Sequence, residues 1–426
     1  MKIYFDSIGC RLNQAEIESL ASQFRRAGHS VTGSAEGADL VIINTCAVTA
    51  AAASDSREKS RQAYHAGAKQ IVLTGCWATL EPAEALNLPG VMRVVTNARK
   101  SELVSDLLEE AQSEYDAEPV AREPLPGIHR RTRAFIKAQD GCDNFCTFCV
   151  TRIARGQGVS VPMQQVIRDV ELVLQGGAKE IVLSGVHLGS WGNDLKNGTH
   201  LRDLIQAILD ETSIERVRLS SVEPWDLERS FFELWQDSRM CPHIHFPLQS
   251  GSAAVLKRMG RNTTPDKYRA LVELARDAIP NLALTTDIIV GFPMENDEEF
   301  GESLEFVREM EFAGGHVFKY SAREGTAAAR LSGRVHGKIA GCRSRSMRGI
   351  LQESAEQYAR GTVGRQVDVL WESTSGLDSR GWRMHGLSDN YLKVSGFAPE
   401  NRWNCIDRVK VISFEAGQLE GEIIQE

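Results

Sequence analysis

The 426-residue chain is longer than one ordinary domain of about 100–200 residues, so we expect about three domains. Hydrophobic residues make up 42% and charged residues 25% of it, which is typical of a globular protein and argues against a disordered or fibrous chain. The net charge of −8 argues against a uniformly basic nucleic-acid coat but leaves local basic patches open. No apolar run approaches the roughly 20 residues of a membrane span, and residues 1–6 do not begin a secretory signal, so we expect a cytoplasmic protein that does not contact a membrane.

The first hundred residues predict an α/β domain with a parallel sheet. Short apolar runs at 2–7, 40–44 and 70–74 alternate there with polar helical stretches. Each run is followed within three residues by a cysteine, and these are Cys10, Cys46 and Cys76. Ligands gather beyond the carboxyl ends of the strands in open α/β sheets. The three thiols are therefore expected to converge in space.

The middle of the chain predicts a second, larger α/β domain. The acidic stretch 102–118 is typical of a helix and the Pro-containing 118–127 of a linker, which places a boundary near residue 125. Predicted strands then alternate with helical stretches, as in a complete or partial (β/α) barrel. These strands span residues 134–138, 180–184, 216–220, 243–246, 283–288 and 316–320.

The last part of the chain changes character. Residues 328–360 predict a helical connector, and short alternating segments at 366–371, 391–395 and 408–414 predict a small β-barrel. The predicted fold class is therefore α/β, with three domains. We place an N-terminal α/β domain at residues 1–125, a partial (β/α) barrel with its connector at 126–360 and the β-barrel at 361–426.

The strongest chemical signal is a C-x₃-C-x₂-C triplet directly after the first predicted barrel strand, formed by Cys142, Cys146 and Cys149. Three thiolates on one loop can bind three irons of a 4Fe–4S cluster and leave the fourth iron open for a substrate. A zinc site is the alternative, but structural zinc needs four ligands, and the nearest downstream cysteine is Cys241. We interpret Cys241, Cys342 and Cys405 as structural thiols.

This triplet resembles the signature of the radical S-adenosylmethionine enzymes, and the whole chain resembles the methylthiotransferase family among them. The matching sequence motifs lie at residues 9–16, 44–49, 75–76, 185–189, 247–252, 257–261, 286–293 and 320–326. The resemblance implies two 4Fe–4S clusters and S-adenosylmethionine as cofactors. The triplet would be catalytic and would cleave S-adenosylmethionine, while Cys10, Cys46 and Cys76 would hold an auxiliary cluster that carries the sulfur. The terminal barrel resembles the TRAM-like domain that grips substrate in this family.

Polar groups at the carboxyl ends of barrel strands are candidates for contact with the adenosyl ligand. The candidates are Gly185, Val186 and His187 after the second strand, Ser221 and Glu223 after the third, and Gln249 and Ser250 after the fourth. Turn capping is the alternative, since Ser and Gly are ordinary turn residues. Arg155 has two interpretations as well, a carboxylate-binding residue or a solvated surface residue.

The resemblance extends to a substrate class. The word Gly-Cys-Arg-Leu-Asn-Gln at 9–14 is most similar to the branch that methylthiolates C2 of N6-threonylcarbamoyladenosine at tRNA position 37. An aspartate of a ribosomal protein and N6-isopentenyladenosine in tRNA are the alternative substrates, and a non-catalytic iron–sulfur or zinc protein that binds RNA is the alternative to an enzyme. The implied partners are the tRNA anticodon stem-loop, an electron donor such as flavodoxin or ferredoxin, and a sulfur donor.

The charge pattern agrees in part with an RNA substrate. Residues 122–155 contain seven Lys or Arg against three acids, and 328–360 contain seven against two. Residues 361–426 contain seven basic and ten acidic residues, and this negative net charge does not favour tRNA binding. Binding of RNA by the terminal barrel would therefore require a local face formed by Arg380, Arg383, Lys393 and Arg402.

Overall fold

The computed structural model describes residues 1–108 and 132–424. The chain divides into two compact units, of which the first contains residues 1–144 and 149–213 and the second contains 145–148 and 214–426. The predicted linker at 118–127 and the boundary near residue 125 lie outside the described residues. The division into three domains at residues 125 and 360 therefore stays a prediction.

The first unit begins with a five-stranded parallel sheet in the order β2-β1-β3-β4-β5. Its strands are β1 (Lys2–Ser7), β2 (Ser30–Thr32), β3 (Leu40–Thr45), β4 (Ile71–Gly75) and β5 (Val91–Val95). The helices are α1 (Arg11–Arg26), α2 (Ala50–His65), α3 (Cys76–Leu80), α4 (Pro82–Leu86) and α5 (Leu103–Leu108). Along β1, Ile3 and Phe5 belong to one apolar cluster, and Tyr4, which points to the opposite face, belongs to another. Both faces of the sheet are therefore buried. The three predicted strands are confirmed.

The remainder of the first unit starts the second α/β region. Its elements are β6 (Arg133–Lys137), β7 (Gln139–Asp140), α6 (Thr151–Arg155), β8 (Val159–Ser160), α7 (Met163–Gln175), β9 (Glu180–Ser184) and α8 (Leu201–Glu211). Strands β6 and β9 pair in parallel, whereas β7 and β8 form a short antiparallel pair. Ala15 of α1 packs with Phe135 and Val182, so the N-terminal sheet's first helix lies on the β6–β9 pair.

The second unit continues the parallel pattern. It contains β10 (Arg216–Leu219), β11 (His243–His245), α9 (Ala253–Met259), α10 (Pro265–Ala278), β12 (Ala283–Val290), α11 (Asp297–Glu309), β13 (Gly314–Lys319) and α12 (Gly337–Arg360). Strands β11, β12 and β13 are parallel neighbours. Local sequence fixes the helix starts: Asn296 and Glu299 form a capping box for α11, and Thr264 caps α10 before Pro265.

A closed five-stranded barrel ends the second unit, in the order β14-β15-β16-β18-β17. Its strands are β14 (Gln366–Asp378), β15 (Gly381–Ser388), β16 (Lys393–Ala398), β17 (Ile406–Glu415) and β18 (Gln418–Ile423). The fully buried Trp371 fills the interior, and a Cβ on Gly396 would lie 3.3 Å from its ring and 2.6 Å from Gly421 O. The predicted α/β fold class with a small terminal β-barrel is confirmed. Strands β15 and β18 were not predicted, because their glycines and charged residues obscure the strand pattern.

None of the helices in the described ranges combines the length and the apolar character that crossing a bilayer requires. The longest of them, α12, has 24 residues and carries charges along its length.

Candidate functional site

The three N-terminal cysteines follow neighbouring strands of one parallel sheet. Cys10 comes after β1, Cys46 directly after β3, and Cys76 directly after β4. Their loops touch: a Cβ on Gly9 would lie 2.5 Å from Cys46 Sγ, and one on Gly75 would lie 2.3 Å from the carbonyl oxygen before Cys46. Both glycines have positive φ, of 102° and 94°, which favours glycine. The predicted convergence of the three cysteine loops is therefore present in the structure.

These three thiols differ in their burial. Cys46 and Cys76 are 3% and 5% exposed, whereas Cys10 is exposed, and all three are free cysteines. Burial raises the pKa of the Cys46 thiol to about 11. That thiol is therefore protonated at neutral pH in the bare chain, and binding a metal is what would deprotonate it.

A buried polar network lies behind these cysteines, and sequence reasoning missed it. Asn44, at the end of β3, donates from Nδ2 to Glu16 Oε2 over 2.9 Å, and Lys100 Nζ donates to the same oxygen over 2.6 Å. Burial alone would raise the pKa of Glu16, but Lys100, Arg155 and Lys137 outweigh it and hold that pKa well below its usual range. The signal that could have found Glu16 was a carboxylate at a position where α1 must face the sheet.

The first and last cysteines of the triplet belong to the first unit. Cys142 Sγ accepts from the Asn144 backbone N–H over 3.4 Å, and Cys149 Sγ accepts from that of Thr151 over 3.4 Å. Gly141 has φ of 67°, and a Cβ there would lie 1.7 Å from a backbone oxygen of the chain after α6. The loop is thus held by backbone contacts that only glycine permits.

Gln139 connects this loop to the candidate residues after β9. Its Nε2 donates to Gly141 O over 2.9 Å, and its Oε1 accepts from the His187 backbone N–H over 2.8 Å. Gly185 packs on the same side chain, since a Cβ there would lie 3.0 Å from Gln139 Oε1. Asn144 Nδ2 adds a contact of 3.3 Å to the His187 ring. The structure therefore brings Cys142 and the 185–187 loop together, with Val186 in that loop.

The middle of the triplet, residues 145–148, belongs to the second unit. Arg261 Nη1 lies 3.9 Å from Cys146 Sγ, and Thr147 donates from its backbone N–H to Met259 O over 2.9 Å. Phe148 packs edge-on against Phe292 with ring centroids 6.5 Å apart. The sequence motifs at 257–261 and 286–293 thus contact the loop around Cys146.

Four further candidates lie in the second unit, and the side chains of two of them, Glu223 and Ser250, have partners within the protein. Glu223 accepts from Arg261 on both carboxylate oxygens, over 3.0 and 2.6 Å. Ser250 is fully buried and its Oγ accepts from the Ser252 backbone N–H, which is the turn-capping alternative. Ser221 forms a parallel bridge at the start of the third strand-end loop. Gln249 has φ of 72°, an uncommon conformation for a residue other than glycine. Ligand contact by these residues stays a prediction.

Several residues of the predicted basic stretches and of the predicted basic face of the terminal barrel are paired within the protein. Arg343 Nη1 lies 2.8 Å from Glu295 Oε2, and Arg402 Nη2 lies 2.6 Å from Asp407 Oδ1. In the first unit the buried side chain of Arg155 binds the carboxylates of Glu16 and Asp140. Of its two interpretations, the carboxylate-binding residue is therefore the one that the structure shows. Arg380 stacks on Phe397 with its guanidinium carbon 3.8 Å from the ring centroid. Counting basic residues therefore overstates the positive surface available to RNA.

The donor sets suit clusters better than single ions. Over residues 1–108 and 132–424, no three His, Cys, Asp or Glu side chains are grouped closely enough to hold one metal ion. The cysteines of a four-iron cluster each bind a different iron, so they do not need that proximity. Two sets of three thiols match this pattern and lack the four ligands of structural zinc.

Comparisons with known proteins agree with this chemistry. The model of the radical SAM superfamily matches residues 136–307, and that of the uncharacterized protein family UPF0004 matches residues 2–97. The threonylcarbamoyladenosine tRNA methylthiotransferase MtaB of Bacillus subtilis is 33% identical, with 99% of this chain and 96% of the relative covered. The enzyme of the same name from Thermotoga maritima is 34% identical over 99% and 98%. The tRNA-2-methylthio-N(6)-dimethylallyladenosine synthase of Anaplasma phagocytophilum is 29% identical over 99% and 98%.

A solved structure shares the fold at low identity. The radical S-adenosylmethionine methyltransferase TsrM from Kitasatospora setae, with cobalamin and a [4Fe-4S] cluster bound, superposes with a TM-score of 0.57 at 12% identity and covers 77% of each chain. This likeness supports the fold, and the near full-length relatives support the family. The chain therefore belongs to the radical SAM methylthiotransferase family, and it is an enzyme that depends on S-adenosylmethionine and two 4Fe–4S clusters.

Proposed function

We propose that this enzyme inserts a methylthio group at C2 of N6-threonylcarbamoyladenosine at position 37 of tRNA, beside the anticodon. The observation that carries this proposal is the near full-length likeness to relatives named for that nucleoside, which align at higher identity than those named for the dimethylallyl nucleoside. Within this likeness, the motif at 9–14 resembles the same branch. The reaction belongs in the cytoplasm, where tRNA is modified.

The six cysteines divide between the two clusters. Cys142, Cys146 and Cys149 would hold the cluster that takes up S-adenosylmethionine, and Cys10, Cys46 and Cys76 would hold the auxiliary cluster. When bound, these groups supply the reducing electron, the hydrogen-abstracting chemistry and the methylthio group. An electron donor such as flavodoxin or ferredoxin and a sulfur donor complete the reaction.

The chain's own residues arrange this chemistry. Gln139 holds the Cys142 loop against Gly185 and His187, so the backbone of the 185–187 loop is fixed beside the first cysteine. Arg261 binds Glu223 and lies next to Cys146, so Glu223 acts by orienting that arginine. Gln249 is held in its left-handed conformation by backbone bonds to both sides of Ile288, which suits a residue that presents its amide to a ligand.

The test combines metal analysis with nucleoside mass spectrometry after anaerobic reconstitution. We expect about eight irons per chain, and a methylthio adduct on threonylcarbamoyladenosine in tRNA incubated with S-adenosylmethionine and reductant. The matched control is tRNA that carries unmodified adenosine at position 37, which should stay unmodified. An adduct on isopentenyladenosine or on a ribosomal-protein aspartate instead would overturn the substrate. Bound zinc without iron would overturn the cluster assignment.

A further inference from the structure

Within the first unit, the short helix α6 links Cys149 to the loops that carry Cys10, Cys46 and Cys76. It starts two residues after Cys149 and ends at Arg155. Ala154 is 3% exposed and lies in the apolar cluster that also contains Cys76. Asn97 Nδ2 donates to Ala154 O over 2.8 Å and lies 3.8 Å from Cys76 Sγ. The helix that leaves one cysteine set is therefore packed onto the loops that carry the other.

Arg155 reaches from this helix toward the thiol of Cys10. Its side chain is only 2% exposed, and its Nη1 donates to Glu16 Oε1 over 2.9 Å and to Asp140 Oδ1 over 2.8 Å. Its Nη2 donates to Asn13 Oδ1 over 2.6 Å, and that oxygen lies 3.7 Å from Cys10 Sγ. The planar guanidinium fork fixes all these distances together, which the single ammonium of a lysine does not do.

The network around Arg155 has more positive than negative charge. Lys100 and Lys137 lie 2.6 and 3.1 Å from Glu16, and Lys137 lies 2.5 Å from Asp140. Three cations thus share two carboxylates, and the group carries a charge of +1 when all five side chains are ionised. A buried excess charge is costly unless an opposite charge lies beside it. The adjacent Cys10, Cys46 and Cys76 provide that opposite charge when they bind iron as thiolates.

We propose that Arg155 is a positioning residue that places a positive charge beside the cluster of Cys10, Cys46 and Cys76 and thereby raises its reduction potential. This inference rests on the proposed function, because it requires those three cysteines to hold a cluster. Net charge and hydrogen bonding near the sulfurs are among the factors that set the potential of an iron–sulfur cluster. A neighbouring cation favours the reduced cluster, which is the more negative form.

The test isolates the auxiliary cluster and measures its midpoint potential. In a full-length C142A/C146A/C149A chain, an anaerobic redox titration followed by electron paramagnetic resonance reports on that cluster alone. We expect Arg155→Gln, which removes the charge, to shift the midpoint to a more negative value. Arg155→Lys, which keeps the charge, should shift it less, and Asp140→Asn, which removes a negative charge, should shift it in the opposite direction. Arg152→Gln on the same helix is the control and should leave the potential unchanged.

The outcomes separate this inference from the proposed function. Absence of iron from the parent C142A/C146A/C149A chain would overturn the auxiliary cluster itself, and the role of Arg155 with it. Normal iron content with the same midpoint in Arg155→Gln and Asp140→Asn would overturn only the inference. That result would mean that the network is structural, in which case the variants would lower the midpoint temperature of unfolding without changing the potential. If Arg155→Gln does not fold, Arg155→Met, which also removes the charge but keeps a long side chain, decides the sign.

Discussion

The two cysteine sets differ in how much of the chain each requires. Cys142, Cys146 and Cys149 lie within eight consecutive residues, whereas the other three cysteines come from three separate strand ends. The triplet is partly exposed and is held mainly by backbone hydrogen bonds. Of the other three cysteines, Cys10 is exposed, whereas Cys46 and Cys76 are buried in front of a network of five ionisable side chains. One site is therefore local and the other depends on assembly of the parallel sheet.

This difference suits two tasks. The cluster proposed to bind S-adenosylmethionine needs access for that ligand, and the loop of Cys142, Cys146 and Cys149 is partly exposed. For the proposed auxiliary cluster, the network behind the buried Cys46 and Cys76 provides a fixed charge environment, while Cys10 is exposed. The two sites should consequently fail in different ways when single residues are changed.

The largest expected effect is complete loss of one half-reaction. Cys142→Ala should abolish conversion of S-adenosylmethionine to 5′-deoxyadenosine, because the catalytic cluster loses a ligand. Cys46→Ala should preserve that conversion but abolish methylthiolation of tRNA. Chromatography of 5′-deoxyadenosine and mass spectrometry of nucleosides measure the two products separately.

The control for both variants is Cys342→Ser, which changes an exposed cysteine outside both sets. Cleavage retained by Cys142→Ala, or methylthiolation retained by Cys46→Ala, would contradict the division of labour.

Loss of about half of the iron is expected when a glycine behind either site is replaced. Gly75→Ala would place a Cβ 2.3 Å from a backbone oxygen of the Cys46 loop, and Gly141→Ala would place one 1.7 Å from the backbone after α6. Each variant should retain about four of eight irons. Only Gly75→Ala should retain formation of 5′-deoxyadenosine.

The control for both glycine variants is Gly177→Ala. Gly177 also has positive φ, of 83°, but a Cβ there meets nothing within 4 Å. This variant carries the conformational strain of about 1 kcal/mol without the steric clash, and it should keep all of its iron. If Gly177→Ala lost as much iron as the other two, general destabilisation would be the cause and the contacts behind the cysteines would not matter.

A destabilisation of about 3–5 kcal/mol is expected for Glu16→Gln, because it leaves Lys100, Lys137 and Arg155 without their shared carboxylate. Since the folded-state pKa of Glu16 is lowered, its contribution is complete above the unfolded value of about 4.3 and declines as the pH falls below it. Urea unfolding at several pH values should show the difference from wild type shrinking toward acid. Glu58→Gln, on the exposed face of α2, should change the free energy of unfolding by less than about 0.5 kcal/mol.

The same contrast explains which features could be predicted from sequence. The triplet and the strand ends carrying Cys10, Cys46 and Cys76 are encoded locally, by cysteine spacing and by short apolar runs. Glu16 and Arg155 are 139 residues apart, and nothing near either one indicates that they pair. Strands β15 and β18 likewise become strands only through closure of the barrel, where a Cβ on Gly386 of β15 would lie 3.0 Å from the ring of Trp371 and Gly421 of β18 lies against Gly396 of β16.

The smallest expected effect is on the free energy of unfolding and concerns Glu223, whose partner Arg261 lies beside Cys146 of the triplet. Glu223→Gln should cost about 1–2 kcal/mol, less than Glu16→Gln, because Glu223 pairs with one cation and is 19% exposed. Arg261 also keeps two other partners, Pro247 O at 2.5 Å and the ring of Trp225 with a centroid 4.5 Å away. Urea unfolding beside Glu305→Gln, an exposed control on α11, measures the cost. A cost equal to that of Glu16→Gln would show that the triplet depends on buried charge as much as the strand-end cysteines do, and the contrast between a local and an assembled site would fail.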